Sequence, residues 1–411
     1  MTASYSLTEQ LATHLQRPVD DATRARARLH LLDWLGCVAG ARGSELALRL
    51  RENPRAYSFL GNILEMDDIH RAAVLHPGPI VWTTMLMFTW EQTLDQSLNH
   101  AIRGYEAMIA IGATLDKYHY EHWHPSATAG VFGAAAVGTS SLGLNAEMTM
   151  WSLANSGSVA GGLWNMRHDD VMTKQWHLDH AMRTGLSAAW NAKAGITGPR
   201  FILEGPQGLY AAMCRQPKPM TFPDHWRIHE VSFKPWGACR HAHPAIDAAL
   251  ELKAKLGHLD GDILVETYAD AITFCDRLNP QTVQDAKFSI QHAVAVVAQK
   301  GVPELADFEA DAIAQFAEAR SRVVVREASD ITARYPEHYG ARATVGGQTV
   351  ELADTLGDPE RPMSEEQIIG KARALIAWGG LSAAEADRAV DLALHGDDAE
   401  AIHAMLEDWL G

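Results

Sequence analysis

Through the first half of the chain, apolar residues recur every three or four positions, the signature of helices that bury one stripe. Ala22 to Cys37 carries this pattern, and Ala101 to Leu115 repeats it with Ile102, Tyr105, Ile109 and Gly112 on one stripe. Ala127 to Leu142 is rich in Gly, Ala and Ser, which suits a buried helix whose backbone approaches its neighbours closely. Trp151 to Trp164 and Leu178 to Ala194 read the same way, and Ser6-x-x-Glu9 has the form of a capping box. To about residue 225 the pattern predicts an all-helical bundle with a small-residue core.

After Pro235 the period changes. Ile263 to Phe274 alternates as a strand would, and so does Val323 to Arg326. Arg342 to Val345, Gly346-Gly347 and Gln348 to Leu352 together predict a hairpin, since Gly-Gly supplies the positive φ angles of a tight turn. Helices return at Ser364-x-x-Gln367 and Ser382-x-x-Glu385, both with capping-box form. The expected fold is mainly α. A large all-helical domain is built from both chain ends (residues 1–230 and 361–411), with a smaller α+β domain inserted at 231–360.

Composition narrows the function classes. The chain has 411 residues, 47% of them hydrophobic and 21% charged, the balance of a globular protein. Lys and Arg number 35 against 51 Asp and Glu, a net charge of −16. That acidity repels phosphate backbones and anionic lipid, so neither nucleic acid nor membrane is an expected partner. The longest apolar stretch, Pro79 to Trp90, is too short to span a bilayer. Met1 to Gln10 shows no basic region followed by an apolar core. Four scattered cysteines (Cys37, Cys214, Cys239, Cys275) without a CxxC pair fit a reducing cytoplasm and supply no Cys-based metal site. No GxGxxG or GxxxxGK[ST] is present, so no nucleotide cofactor is expected.

Four clusters can carry chemistry. The first, Glu65-Met66-Asp67-Asp68-Ile69-His70 followed by His76-Pro77-Gly78, offers a general base with partners to tune it; it could equally be a solvated acidic turn. The second is His119-x-x-His122-x-His124. Three histidines in six residues suggest a metal, but Pro125 breaks any helix there, and His124 before a helix start can instead face an anion pocket. The third, Met172 to His177, places Lys174 between Thr and Gln, either as a carboxylate grip or as a surface lysine. The fourth, Phe233 to Pro244, gathers Lys234, Arg240, His241 and His243 at the domain junction, where ligand sites are favoured.

In this order and spacing the clusters resemble the MmgE/PrpD family, whose members dehydrate, decarboxylate or epimerise small polycarboxylates. The resemblance begins at Leu31-Leu32-Asp33-Trp34-Leu35-Gly36 and runs through the acidic segment, His76-Pro77-Gly78, Gly104-Tyr105-Glu106 and His124-Pro125 with Thr128-Ala129-Gly130. It continues through Thr173-Lys174, Gly198-Pro199 with Leu203-Glu204-Gly205, Lys234-Pro235 with Cys239-Arg240-His241, and Ala286-Lys287-Phe288-Ser289.

The resemblance implies a helical domain capped by an α+β lid, a site in the cleft between them, and a homodimer working without metal or other cofactor. By motif the catalytic set becomes Glu65, Asp68, His76, His124, Lys174 and Lys234. His76 or His124 acts as acid or base, the lysines grip carboxylates, and the acids set the histidines' charge. Arg240, His243 and His292 join as substrate-binding groups. The family usually has Asp at position 65, Thr at 69 and often Tyr at 292, where this chain has Glu65, Ile69 and His292; these departures bear on the substrate. The expectation is a dehydratase-like lyase of a small di- or tricarboxylate in the cytoplasm. The alternatives are an epimerase or isomerase of an amino-dicarboxylate, a ligand-binding relative without catalysis, or a metallohydrolase built on the His119 cluster.

Overall fold

The computed structural model describes residues 5–50, 56–90, 92–169 and 171–410, the Ala56 side chain aside. Helix accounts for 58% and strand for 7%, so the chain is mainly α with one small sheet. It divides into two compact units, one comprising Met1–Ile63, Asp67–Val231 and Ser364–Gly411, the other Leu64–Met66 and Ser232–Met363. Among the described residues no helix is long and apolar enough to cross a membrane.

In the first unit the apolar periodicity becomes the helices Asp21–Ala41, Leu94–Gly112, Ala146–Gly157 and Thr173–Lys193. Their centre is the helix Pro125–Ser141, buried from Pro125 to Thr139. A helix buried on every face needs small residues wherever a neighbour crosses. A Cβ on Gly185 would stand 2.5 Å from Ala134 Cβ and 2.5 Å from the Val131 carbonyl oxygen; one on Gly104 would stand 2.4 Å from Val137 Cγ2. Glycine there lets three helix backbones approach closely. The helix read at Trp151–Trp164 ends at Gly157, and Trp164–His168 is instead a 3-10 turn.

The chain's C-terminal helices, Glu365–Trp378, Ala383–Leu394 and Ala399–Leu410, belong to the same unit. Lys371 Nζ, on the first of them, lies 2.5 Å from Asp33 Oδ1 on helix Asp21–Ala41, both groups buried. Ser6 and Ser364 form complete capping boxes. Ser382 caps only one way, because the Glu385 carboxylate accepts from Trp409 Nε1 at 2.7 Å.

The second unit holds a four-stranded sheet of order β2-β1-β3-β4, with β1 Ile263–Thr267, β2 Val323–Glu327, β3 Ala341–Val345 and β4 Gln348–Leu352. β1 pairs parallel to β2 and antiparallel to β3 (Val265 opposite Ala343), and β3–β4 is the Gly346-Gly347 hairpin with both glycines at positive φ. Helices His243–Leu256 and Ile290–Gln299 share the sheet's hydrophobic core. The alternation read over Ile263–Phe274 is strand only to Thr267; Ala269–Cys275 is helix. Tyr268, Ala271 and Cys275 are the buried positions there, a three-and-four spacing that period-two reading blurred.

Gly185→Ala is expected to destabilise the fold by about 1–3 kcal/mol, since three close atoms, two of them backbone, must move. The same change at the exposed Gly370, within helix Glu365–Trp378 and with open space around it, is expected to stabilise by about 0.5–1 kcal/mol. Thermal unfolding of the two variants should shift in opposite directions. Shifts of the same sign would contradict the close-packed centre.

Candidate active site

The acidic segment does not fold as one ligand cluster. It is non-helical, so neighbouring side chains point to different sides. Asp67, not Asp68, faces His76: Oδ2 lies 2.9 Å from His76 Nδ1, out of line for a good hydrogen bond, while Asp67 Oδ1 accepts from Asn62 at 2.7 Å. The His76 amide donates to Ser126 Oγ at 2.9 Å, fixing this loop against the start of helix Pro125–Ser141.

Asp68 turns into the core. It accepts from the Gly78 amide at 2.9 Å and the Tyr105 hydroxyl at 2.6 Å, and lies 2.9 Å from His30 Nδ1. Burial pushes its carboxyl up to about 6 against these hydrogen bonds, with Asp67 adding to the rise. His30 is fully buried, and desolvation holds it well below the usual imidazole range. Neither His30 nor Tyr105 was singled out from sequence as a partner of this carboxylate. Gly104-Tyr105-Glu106 stood out only as a motif, and nothing local to His30 points to Asp68, 38 residues away.

His124 caps helix Pro125–Ser141 by position, without a side-chain cap bond. Its amide donates to the Gly162 carbonyl at 2.8 Å, and its ring packs 4.6 Å from that of Trp164. His124 Nδ1 lies 3.4 Å from Nδ1 of His177. Burial, then the charge of Lys174, then His177, hold His124 well below the ordinary imidazole value. His177 is lowered too, chiefly by burial. Both rings are therefore uncharged at neutral pH. Lys174 stands in the first turn of helix Thr173–Lys193. Thr173 and His177 from the same turns line a cavity of about 530 Å³ with Gly162, Leu163, Met166 and Trp176. Gly162, at φ +104, threads between Ala127 and His177, where a Cβ would stand 2.5 Å from Ala127 Cβ.

The second unit holds the rest. Lys234 is fully buried, its Nζ 3.5 Å from Glu65 Oε2, and Glu65 is also buried, at a positive φ of 56°. Arg240 pairs with the buried Asp358 and lies within hydrogen-bond reach of His243 Nδ1 at 3.4 Å; His243 Nε2 donates to the Ala238 carbonyl at 3.0 Å. His292 is similarly occupied, donating from Nε2 to the Asp307 carbonyl at 2.7 Å and accepting at Nδ1 from Arg320 at 3.2 Å. The substrate-binding role read for Arg240, His243 and His292 thus meets groups that already brace their own loops. A buried arginine or imidazole takes protein partners when they are at hand.

The three-histidine metal reading does not assemble either. His119 is buried with Nε2 3.0 Å from Thr128 Oγ1, and His122 is exposed with Nδ1 bonded to the Tyr118 carbonyl. Among the described residues, the group of three whose ligand atoms fall within 4.8 Å of one another is His338, Asp354 and Glu360 in the second unit.

In the first unit two uncharged histidines meet 3.4 Å apart where His177 lines a cavity, and the second unit holds the buried pair Lys234–Glu65. Residues 55–221 match the MmgE/PrpD N-terminal domain and residues 236–396 the MmgE/PrpD C-terminal domain. The chain belongs to the MmgE/PrpD family. It is 24% identical over 280 residues to a cis-aconitate decarboxylase of Homo sapiens, covering 63% of this chain and 58% of that protein. A cis-aconitate decarboxylase of Mus musculus is 23% identical over 272 residues, covering 62% and 55%. A cis-aconitate decarboxylase-like protein of Aspergillus oryzae is 23% identical over 189 residues, covering 42% and 39%. The chain thus matches less than two thirds of the length of each relative.

The pH dependence of stability tests the Asp68 environment. Its folded value near 6 lies above the ordinary carboxylate value of about 4, so the native state keeps a proton that the unfolded chain has lost. The stability owed to Asp68 is therefore present below about pH 4 and falls as pH rises towards about pH 6. The unfolding free energy of the parent minus that of Asp68→Asn should drop by about 1–3 kcal/mol across this window. A flat difference would place Asp68 in water instead.

Proposed function

We propose that this protein is a lyase acting on a small di- or tricarboxylate through a carbanion formed next to a carboxylate. The observation that carries the reading is the uncharged pair His124 and His177, 3.4 Å apart, with His177 lining the cavity and Lys174 three residues before it on the same helix. An uncharged imidazole can take a proton, and an ammonium binds a carboxylate and steadies the charge that develops beside it. Removing a carbon-bound proton, or losing carbon dioxide from the same position, leaves one carbanion. That carbanion then expels hydroxide or is protonated. His76, held near Asp67, is the second proton carrier, and Lys234 with Glu65 supplies a further carboxylate grip. The cis-aconitate decarboxylases among the relatives favour decarboxylation or dehydration.

The site is proposed to work without metal: His119 and His122 already engage Thr128 and the Tyr118 carbonyl, which supports this reading. The protein is proposed to act as a homodimer. Val159, Leu163, Met172 and Trp176 leave large apolar surfaces exposed on one unit, as interaction surfaces do. Its free thiols suit the cytoplasm.

Ile69 supports a second reading, an epimerase or isomerase of an amino-dicarboxylate. It offers no hydroxyl where the family usually has Thr, which relaxes any demand for a substrate hydroxyl from that position.

The test is a panel of cis-aconitate, citrate, 2-methylcitrate and amino-dicarboxylates incubated in deuterated water and followed by NMR. At least one compound is expected to lose carbon dioxide or water, or to gain carbon-bound deuterium, without added metal and in the presence of chelator. His124→Asn is expected to slow that reaction by about a hundred- to ten-thousandfold while remaining folded. A panel left wholly unchanged would falsify the lyase and epimerase readings together.

A further inference from the structure

Apart from the cavity at His177, the first unit has a further one of about 260 Å³. It lies where the end of helix Leu7–His14, the middle of helix Leu94–Gly112 and the end of helix Pro125–Ser141 meet the start of helix Ala146–Gly157. Gln16, His100, Arg103, Ser140 and Thr149 supply polar groups to its wall, and among the described residues no Asp or Glu lines it. A chain with 51 acidic residues against 35 Lys and Arg here walls a cavity with a cation and no acid.

Arg103 is that cation. Its Nε donates to the Leu15 carbonyl at 2.7 Å, and its Nη groups donate to the carbonyls of Asn99 at 3.0 Å and Arg17 at 3.3 Å. A longer contact of 3.4 Å reaches Ser140 Oγ. These partners are dipoles that aim the guanidinium but bring no full negative charge, and they leave one of its N–H groups over. Among the described residues no carboxylate pairs with Arg103, whereas Arg17 and Arg227 both reach Glu106.

The neighbours add donors. Thr149, in the opening turn of its helix, is 2% exposed, and among the described residues its hydroxyl has no hydrogen-bond partner. A buried hydroxyl ordinarily has one. His100 Nδ1 lies 2.7 Å from Ser140 Oγ. Burial, then the charge of Arg103, push His100 down to about 4, so its ring is uncharged at neutral pH.

We infer that this cavity binds a small oxyanion of the sulfate or phosphate kind, held by the Arg103 guanidinium, the Thr149 hydroxyl and the His100 ring. Ser140 then accepts from Arg103 and donates to His100 Nδ1, which leaves the imidazole hydrogen on Nε2 for the ligand. An oxyanion supplies the full negative charge that the guanidinium lacks and accepts from the two neutral donors beside it. The inference stands apart from the lyase reading, and either can fail alone.

Sulfate is the probe, titrated by calorimetry with chloride holding the ionic strength constant. The parent should bind it saturably. Thr149→Val keeps the side chain's shape and should weaken sulfate about three- to tenfold, the worth of one neutral hydrogen bond. Arg103→Gln should weaken it about ten- to a hundredfold, the worth of a charge-assisted one. Saturable binding that falls in both variants upholds the site. A parent without saturable binding overturns it. So does affinity unchanged in either variant, because the sulfate would then sit elsewhere in the protein. Should Arg103→Gln not fold, Arg103→Lys, which keeps the charge and loses the fork, takes its place with the same outcomes. Displacement of bound sulfate by glycerol 3-phosphate would extend the ligand to phosphate esters, and displacement by inorganic phosphate alone would confine it to the free ion; either upholds the site.

Discussion

The close packing of helix Pro125–Ser141 against its neighbours is the constraint on which the first unit depends. Its glycines and alanines surrender side-chain volume so that helices Leu94–Gly112 and Thr173–Lys193 can cross it with backbones nearly touching. Interiors packed to crystal density move little, so the ends of these helices are held with the accuracy that chemistry needs. His124 stands at the start of one, and Lys174 and His177 stand in the opening turns of another. The small-residue core that looks featureless in sequence thus fixes the distance between an uncharged imidazole and a cation.

Burial is also what gives these groups their charge states. His30, His124 and His177 are all held below the ordinary imidazole value with desolvation the largest cause, and Asp33 and Asp68 are raised to about 6 by the same cause. Acids that hold protons longer and imidazoles that shed them sooner are both driven towards their neutral forms. One physical term, removal from water, therefore does most of the tuning.

Much of the fold was legible because it follows from local period. The Gly346-Gly347 hairpin, the strand at Val323 and the helical character of Ala22–Cys37 and Ala127–Leu142 rest on spacings that a single segment carries. The misread parts lie where two periods meet: Ile263–Phe274 changes from strand to helix at Tyr268, and Trp151–Trp164 runs past the end of its helix at Gly157. The site was legible as residue types but not as pairs. Nothing local tells that Asp67 rather than Asp68 faces His76, that Asp68 belongs with His30 and Tyr105, or that His243 and His292 spend both ring nitrogens on their own unit. Partners separated by tens of residues are set by tertiary packing, which a motif reports only as the presence of a side chain.

A net charge of −16 describes the surface field and not the charge met inside the protein, and the difference is one of distance. Surface carboxylates act through water, where screening confines their field to about 8 Å at physiological ionic strength. Lys234, paired with Glu65, acts from a position closed to solvent, where the same charge is felt several times more strongly. The excess acid on the surface thus disfavours loose, delocalised association with polyanions without setting the sign of the field around Lys234.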